Sequence, residues 1–143
     1  MKKIFLFLFL IVPFRVEAYS SSAVSTVLMD MDSLNVIYGN NVHDVRSVAS
    51  ISKIMTAIVA IENANVNDVV TITDEISEAY GSGIYIKQGE QITLESLLYG
   101  LMLRSGNDAA LAIAKYVGKD IDKFVDMMNE KAVEIGMNNT KFN

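Results

Sequence analysis

The sequence has no cysteine, and its only histidine is His43. Without cysteine there is no disulfide framework, no thiol nucleophile and no cysteine-based zinc site. A metal site would have to consist mostly of carboxylates, and a serine nucleophile would have a single candidate histidine base. His43 lies in a polar stretch without clustered acid and serine partners, so we interpret it as a surface loop residue rather than a catalytic one.

Basic residues are also few, with 12 lysines and arginines against 17 aspartates and glutamates, which gives a net charge of −5. Three of the four charges in the first 18 residues are basic, so removing that segment would make the chain more acidic. An acidic protein is repelled by phosphates, which argues against nucleic-acid binding. The length of 143 residues is enough for one domain of ordinary size.

The N-terminus has the pattern of a cleavable export signal. Lys2 and Lys3 precede an apolar run from Ile4 to Phe14, and Val16-Glu17-Ala18 supplies small residues where a signal peptidase would cut. The apolar run is short for a membrane span. We therefore expect residues 1–18 to be a signal peptide and residues 19–143 to be the mature domain, with an uncleaved anchor as the alternative.

The remaining pattern predicts one hairpin followed mostly by helices. Alternating residues predict a hairpin over 23–38, and apolar spacing predicts a helix from near Ser50. Further helices are predicted from the cap at Thr93, from Asp108 to a stop at Gly118, and from near Asp120 to Gly136. Short extended pieces are expected at residues 69–72 and 84–86. Two strands cannot cover an apolar face by themselves, so either the helices cover it or strands of this sheet are absent.

Ser50 and Lys53 form the first candidate catalytic pair. Residues three apart on a helix share a face, so the lysine nitrogen can reach the serine hydroxyl. A lysine whose pKa is lowered by burial can act as the base that activates a serine. An N-cap serine with a solvated lysine would give the same spacing. However, Lys53 is the only charge between Ser47 and Ile61, which favours the catalytic interpretation.

Ser105-Gly106-Asn107 is the second candidate group, at a turn between two apolar helices. A hydroxyl at such a turn can pass a proton, and a carboxamide can both donate to and accept from a substrate amide. Glycine and asparagine also suit a helix end followed by a helix cap. Both roles can hold together.

These two motifs and their flanks resemble the low-molecular-weight D-Ala-D-Ala carboxypeptidases, which are penicillin-binding proteins. Ser-x-x-Lys followed by Ser-Asp-Asn is part of the signature of penicillin-binding proteins and class A β-lactamases. The resemblance lies in the runs ASISKIMT at 49–56, RSGNDA at 104–109 and GMNNTKF at 136–142. It implies an α+β fold of the β-lactamase/DD-peptidase (transpeptidase-like) type, in which a helical cluster flanks an antiparallel sheet. Glycine at the centre of the second motif resembles the carboxypeptidases more than the β-lactamases.

The resemblance also implies the role of each residue. Ser50 would attack the carbonyl of a D-Ala-D-Ala bond in a peptidoglycan stem peptide and become an acyl-ester. Lys53 would accept its proton, Ser105 would relay a proton to the leaving D-alanine, and Asn107 would hold the substrate backbone. β-Lactams would acylate Ser50 and be released slowly. The family needs no metal or organic cofactor, and its members act in the periplasm or on the outer face of the cytoplasmic membrane.

One feature of the family is not found in the sequence: its third motif, Lys-Thr-Gly, which lies on a later strand. We therefore expect the chain to be an N-terminal fragment with an incomplete sheet, poorly folded and inactive by itself. Any membrane attachment would depend on a C-terminal segment beyond Asn143. A serine β-lactamase-like hydrolase and a non-catalytic truncated product are the alternatives.

Overall fold

The computed structural model describes residues 21–143, so the predicted signal peptide at residues 1–18 lies outside the described part of the chain. The chain divides into two compact units, residues up to Asp44 and Val45–Asn143. No helix between residues 21 and 143 combines the length and the apolar character that a membrane span requires.

The described part of the first unit is the predicted hairpin. Strand β1 (Thr26–Met29) pairs antiparallel with β2 (Val36–Asn40). In the connection, the Asp30 carboxylate accepts hydrogen bonds from the hydroxyl and the amide of Ser33, at 2.6 and 2.8 Å. These bonds hold the pKa of Asp30 below its ordinary value. An aspartate that binds its neighbouring backbone in this way favours a turn, and for that reason the sequence predicts the hairpin correctly.

The second unit contains the remaining helices and strands. In chain order they are a 3-10 turn (Ala49–Ile51), α1 (Ser52–Asn63), β3 (Val69–Thr71), a second 3-10 turn (Asp74–Glu78), β4 (Gln91–Thr93), α2 (Leu94–Arg104), α3 (Asn107–Gly118) and α4 (Ile121–Glu134). Two helix starts lie where they were predicted, and in the structure each has a side-chain cap. The Thr93 hydroxyl accepts from the Ser96 amide, and the Asp120 carboxylate accepts from the Asp122 amide.

The helices of this unit share one hydrophobic core. Helix α1 packs against α2, α3 and α4, and α3 packs against α2 and α4. Residues recurring every three or four positions are buried on each helix, as the apolar spacing predicted. They include Val59, Ala60, Leu94, Leu97, Leu101, Ala109, Ile113, Phe124, Met128 and Ala132. Complete burial of one large aliphatic side chain stabilises the fold by about 1.5–3 kcal/mol relative to exposure, so this core holds the helix ends that carry both motifs.

Three local predictions need correction. Strand β4, which pairs with β3, was not predicted. Residues 84–86 are not a strand, because Tyr85 has a left-handed backbone with φ of 61°. Helix α3 includes Gly118, and the left-handed residue after it is Lys119, with φ of 62°. Gly118 is needed for packing instead: a Cβ there would lie 2.7 Å from the Cβ of Phe124.

Candidate active site

Ser50 lies in the 3-10 turn that leads directly into α1, and it is exposed. Ala49, immediately before it, has a left-handed backbone with φ of 43°. That conformation costs an ordinary residue about 1–2 kcal/mol. Strained backbone of this kind is often found at functional sites, where the surrounding structure maintains it. The neighbouring Ser52 directs its hydroxyl away into the turn, donating to the Ala49 carbonyl at 2.8 Å.

Lys53 lies one turn along, on the same face as Ser50. Its Nζ lies 3.5 Å from the Ser50 Oγ, at the outer limit of a hydrogen bond. It also donates to the Oδ1 of Asn107 at 2.6 Å. Partial burial lowers the pKa of Lys53 from its ordinary value, because removal from water disfavours the charged form. The lysine therefore has both the position and the electrostatic bias of a base.

Ser105 is brought to the same place by the end of α2. It is the left-handed residue that closes the helix, with φ of 54°, and its hydroxyl donates to the Ser50 Oγ at 2.9 Å. The amide of Gly106 donates to the Gly100 carbonyl at 3.2 Å. A Cβ on Gly106 would lie 3.0 Å from the Asp108 Oδ1 and 3.3 Å from that carbonyl. Glycine at the centre of the motif thus allows the turn to close tightly.

Asn107 is the first residue of α3, and Gly106 is its N-cap. The cap function that sequence suggested for Asn107 therefore belongs to its neighbour. The Asn107 side chain bridges two elements: its Oδ1 accepts from Lys53, and its Nδ2 donates to the Tyr80 carbonyl at 2.5 Å. Its backbone amide donates to the Ser82 carbonyl at 2.8 Å.

The four predicted site residues therefore form one connected group. Ser105 contacts Ser50, Ser50 contacts Lys53, and Lys53 contacts Asn107. The Ser50 oxygen accepts from the Ser105 hydroxyl, and the Lys53 nitrogen on its other side can take the serine proton when the lysine is neutral. Such an arrangement is chemically suited to activating a serine hydroxyl. His43 is exposed in the first unit, as expected of a loop residue.

Sequence reasoning missed one residue of this region, Asp108. An acidic residue in the first turn of a helix is ordinary, so its position suggested no special role. Its side chain is nevertheless buried, with 7% of its surface exposed. A cluster of three or more metal-ligating side chains is not found between residues 21 and 143.

Known proteins share both this sequence and this fold. The chain is 33% identical over 133 residues to the D-alanyl-D-alanine carboxypeptidase DacF of Bacillus subtilis, covering 90% of this chain and 34% of that protein. It is 34% identical over 154 residues to the carboxypeptidase DacC of Escherichia coli, covering 96% and 38%.

Solved structures of similar sequence also share the fold of this chain. The D-alanyl-D-alanine carboxypeptidase DacD of Francisella tularensis superimposes with a TM-score of 0.82 at 36% identity, covering 92% of this chain and 33% of that one. The Streptomyces K15 DD-transpeptidase superimposes with a TM-score of 0.81 at 33% identity, covering 87% and 52%. The fold predicted from the motifs is thus confirmed as that of the DD-peptidases and penicillin-binding proteins.

The chain spans between about a third and a half of the length of these relatives. The family model of the D-alanyl-D-alanine carboxypeptidases matches residues 13–143, which is nearly all of the sequence and includes both motifs. The chain belongs to the D-alanyl-D-alanine carboxypeptidase family.

Proposed function

We propose that this protein is a serine-type D-Ala-D-Ala carboxypeptidase that removes the terminal D-alanine from peptidoglycan stem peptides. The observation that carries the proposal is the position of the Ser50 Oγ, 2.9 Å from the Ser105 Oγ and 3.5 Å from the Lys53 Nζ. Family membership supplies the substrate class, and the site supplies residues suited to acyl transfer.

In the first half-reaction, the Ser50 oxygen attacks the carbonyl carbon of the penultimate D-alanine. Neutral Lys53 takes the hydroxyl proton. The C–N bond to the terminal D-alanine breaks as Ser105 gives its hydroxyl proton to the leaving amine. The Lys53 ammonium then returns a proton to Ser105, which restores both the Ser105 hydroxyl and the neutral lysine. The products are an ester on Ser50 and free D-alanine.

In the second half-reaction, water attacks the ester, loses a proton to the same base and releases the shortened peptide. Ser50 recovers its hydrogen, so the protein is unchanged at the end. Asn107 has a carboxamide suited to the substrate backbone, and we assign it that contact. No step calls for a metal or an organic cofactor.

β-Lactams test the nucleophile directly, because they would acylate the same oxygen. In the full-length gene product, we expect a fluorescent penicillin to label the protein covalently and Ser50→Ala to abolish labelling. Ser52→Ala is the matched control, since its hydroxyl bonds to the Ala49 carbonyl instead of to Ser50. Labelling that persists in Ser50→Ala would show that the nucleophile is misassigned.

A second measurement separates the reaction classes. A carboxypeptidase releases D-alanine from a peptide ending in D-Ala-D-Ala, and it turns over penicillin slowly. A β-lactamase-like hydrolase would do the reverse, and a non-catalytic product would do neither. The expectation that the 143-residue chain is inactive by itself stays a prediction, which the same assay on that chain checks.

We also propose that residues 1–18 are a cleaved export signal and that the protein acts in the periplasm or on the outer face of the membrane. The charge and apolar pattern of those residues supports this. N-terminal sequencing of the exported protein should give Tyr19 as the first residue. Recovery of an intact Met1 would instead favour an uncleaved anchor.

A further inference from the structure

Asp108 is a buried acidic side chain that the proposed mechanism does not use. It follows Asn107 in the first turn of α3, and only 7% of its surface is exposed. Burying a carboxylate is costly unless its charge is matched by hydrogen bonds or by an opposite charge. Its bonding partners therefore indicate what the residue does.

Those partners are backbone amides, three of which belong to a single loop, residues 80–86. The Ile84 amide lies 3.0 and 3.1 Å from the two carboxylate oxygens. The amides of Tyr85 and Ile86 donate to Oδ2 at 2.7 and 3.3 Å. The Ala109 amide donates to Oδ1 at 2.8 Å. Successive amides that converge in this way form an anion-binding nest.

The conformation of the 80–86 loop fits a carboxylate rather than its own side chains. Tyr85 has a left-handed backbone, and its side chain is 81% exposed, so packing of its ring cannot be what maintains that backbone. Gly83 comes so close that an added Cβ would lie 3.1 Å from the Asp108 Oδ2. The loop is therefore shaped around the Asp108 side chain.

The same loop also orients Asn107. The Tyr80 carbonyl accepts from the Asn107 Nδ2, and the Ser82 carbonyl accepts from its backbone amide. With Nδ2 directed to Tyr80, the Oδ1 of the carboxamide points the other way, to Lys53 at 2.6 Å. Asn107 holds one end of the loop and Asp108 holds the other.

We propose that Asp108 is a positioning residue that fixes the 80–86 loop and, through it, the orientation of the Asn107 carboxamide against Lys53. This inference rests on the proposed function. The hydrogen bonds of the Asp108 carboxylate go to backbone amides and not to Ser50 or Lys53, so we assign it an effect on the chemistry through Asn107 and the loop.

The test is the rate at which a fluorescent penicillin acylates the full-length gene product. Asp108→Asn keeps the shape of the side chain but replaces one acceptor with an amino group facing backbone donors. We expect the acylation rate to fall by roughly ten- to a hundredfold, with the same final amount of label per molecule. The matched control is Asp126→Asn on α4, the same chemical change at an exposed position.

A double-mutant cycle with Asn107→Ala separates positioning from general stability. If Asp108 acts through Asn107, Asp108→Asn should slow acylation little further once the carboxamide is gone. Fully multiplicative effects, or a wild-type rate in Asp108→Asn, would overturn the proposal. If Asp108→Asn does not reach the wild-type amount of label, the variant is partly misfolded, and Gly83→Ala replaces it in the test. It strains the same contact from the loop side and should slow acylation in the wild-type background but not in Asn107→Ala.

Failure of the Asp108 proposal can be told apart from failure of the proposed function. If the unmutated protein takes up no penicillin, the function is wrong and the cycle has no baseline rate. If it is labelled normally and the variants behave independently, only the role of Asp108 is wrong.

Discussion

The Oδ1 of Asn107 accepts a hydrogen bond from the Nζ of Lys53 at 2.6 Å, although the two residues lie 54 positions apart in the chain. The bond joins the first helix of the unit to the beginning of the third. It also places a neutral acceptor, rather than a carboxylate, beside the nitrogen that we assign as the base. A neutral partner does not raise the pKa of the lysine as an anionic one would. A carboxylate in the same place would stabilise the ammonium form, so the lysine would keep its proton.

Asn107→Asp should therefore inactivate the site in a pH-dependent way. A carboxylate at this distance favours the ammonium form and raises the pKa of Lys53. We expect penicillin acylation at neutral pH to fall by roughly tenfold or more, because each pKa unit is a factor of ten in neutral base. The rate should recover partly as the pH is raised. Asn138→Asp, at an exposed position, is the control. A loss that is equal at every pH would contradict this explanation.

Lys53→Arg should abolish the base while keeping a positive charge. Arginine stays protonated at every accessible pH, so it cannot accept the serine proton. Removal of a general base typically costs about 10²–10⁴-fold in rate, and we expect a loss in that range. Stopped-flow acylation measures it. Lys123→Arg on the exposed side of α4 should leave the rate unchanged. An active Lys53→Arg would mean that another group takes the proton.

The wild-type pH profile provides an independent check on Lys53. Its neutral form is the active one, so acylation should increase with pH until the lysine is deprotonated. Because burial lowers its pKa, the increase should end below the ordinary lysine value of 10.5. The Asn107→Asp profile should end at a higher pH than the wild type. A profile that is flat through this range would argue that lysine is not the base.

Ser105 combines a hydroxyl with a left-handed backbone, and two substitutions distinguish these properties. Ser105→Gly preserves the backbone, since glycine adopts positive φ freely. Ser105→Ala removes the hydroxyl and keeps the strain. If proton relay is the function, both should release D-alanine roughly 10²–10⁴-fold more slowly than the wild type. A Ser105→Gly variant that retains its rate would indicate that only the turn matters.

Gly118→Ala should destabilise the fold, although alanine is normally the better helix former. The added Cβ would lie 2.7 Å from the Cβ of Phe124 and 2.8 Å from its backbone nitrogen. Overpacking of a core contact typically costs about 1–3 kcal/mol. Urea unfolding should show that loss in the free energy of unfolding. Gly136→Ala is a useful comparison, because its φ of 84° imposes backbone strain without any contact within 4 Å.

Local patterns were sufficient to predict the helices and to bring the candidate pair, Ser50 and Lys53, together. The core faces of α2 and α4 follow the spacing of their apolar residues, and their starts follow the caps at Thr93 and Asp120. Ser50 and Lys53 are three residues apart, so a single helical turn brings them together whatever the rest of the chain does. Resemblance to the family then connected this pair to Ser105 and Asn107.

Errors arose where a distant partner determines the local structure. Residues 84–86 have a sequence that suits an extended segment, but three of their amides turn toward the Asp108 carboxylate. Strand β4 is three residues long and forms because β3 lies beside it. Neither partner can be inferred from the segment itself.

The sequence by itself determined the family, and it predicted Ser50 as the nucleophile with Lys53 beside it, because these depend on residue type and on spacing within one helical turn. Only the tertiary structure decided that the Ser105 hydroxyl lies 2.9 Å from Ser50 and that Asn107 faces Lys53. It alone assigned Asp108 to the 80–86 loop. These contacts join residues more than 20 positions apart. Their distances are set by how the helices pack around a common core, which no local pattern encodes.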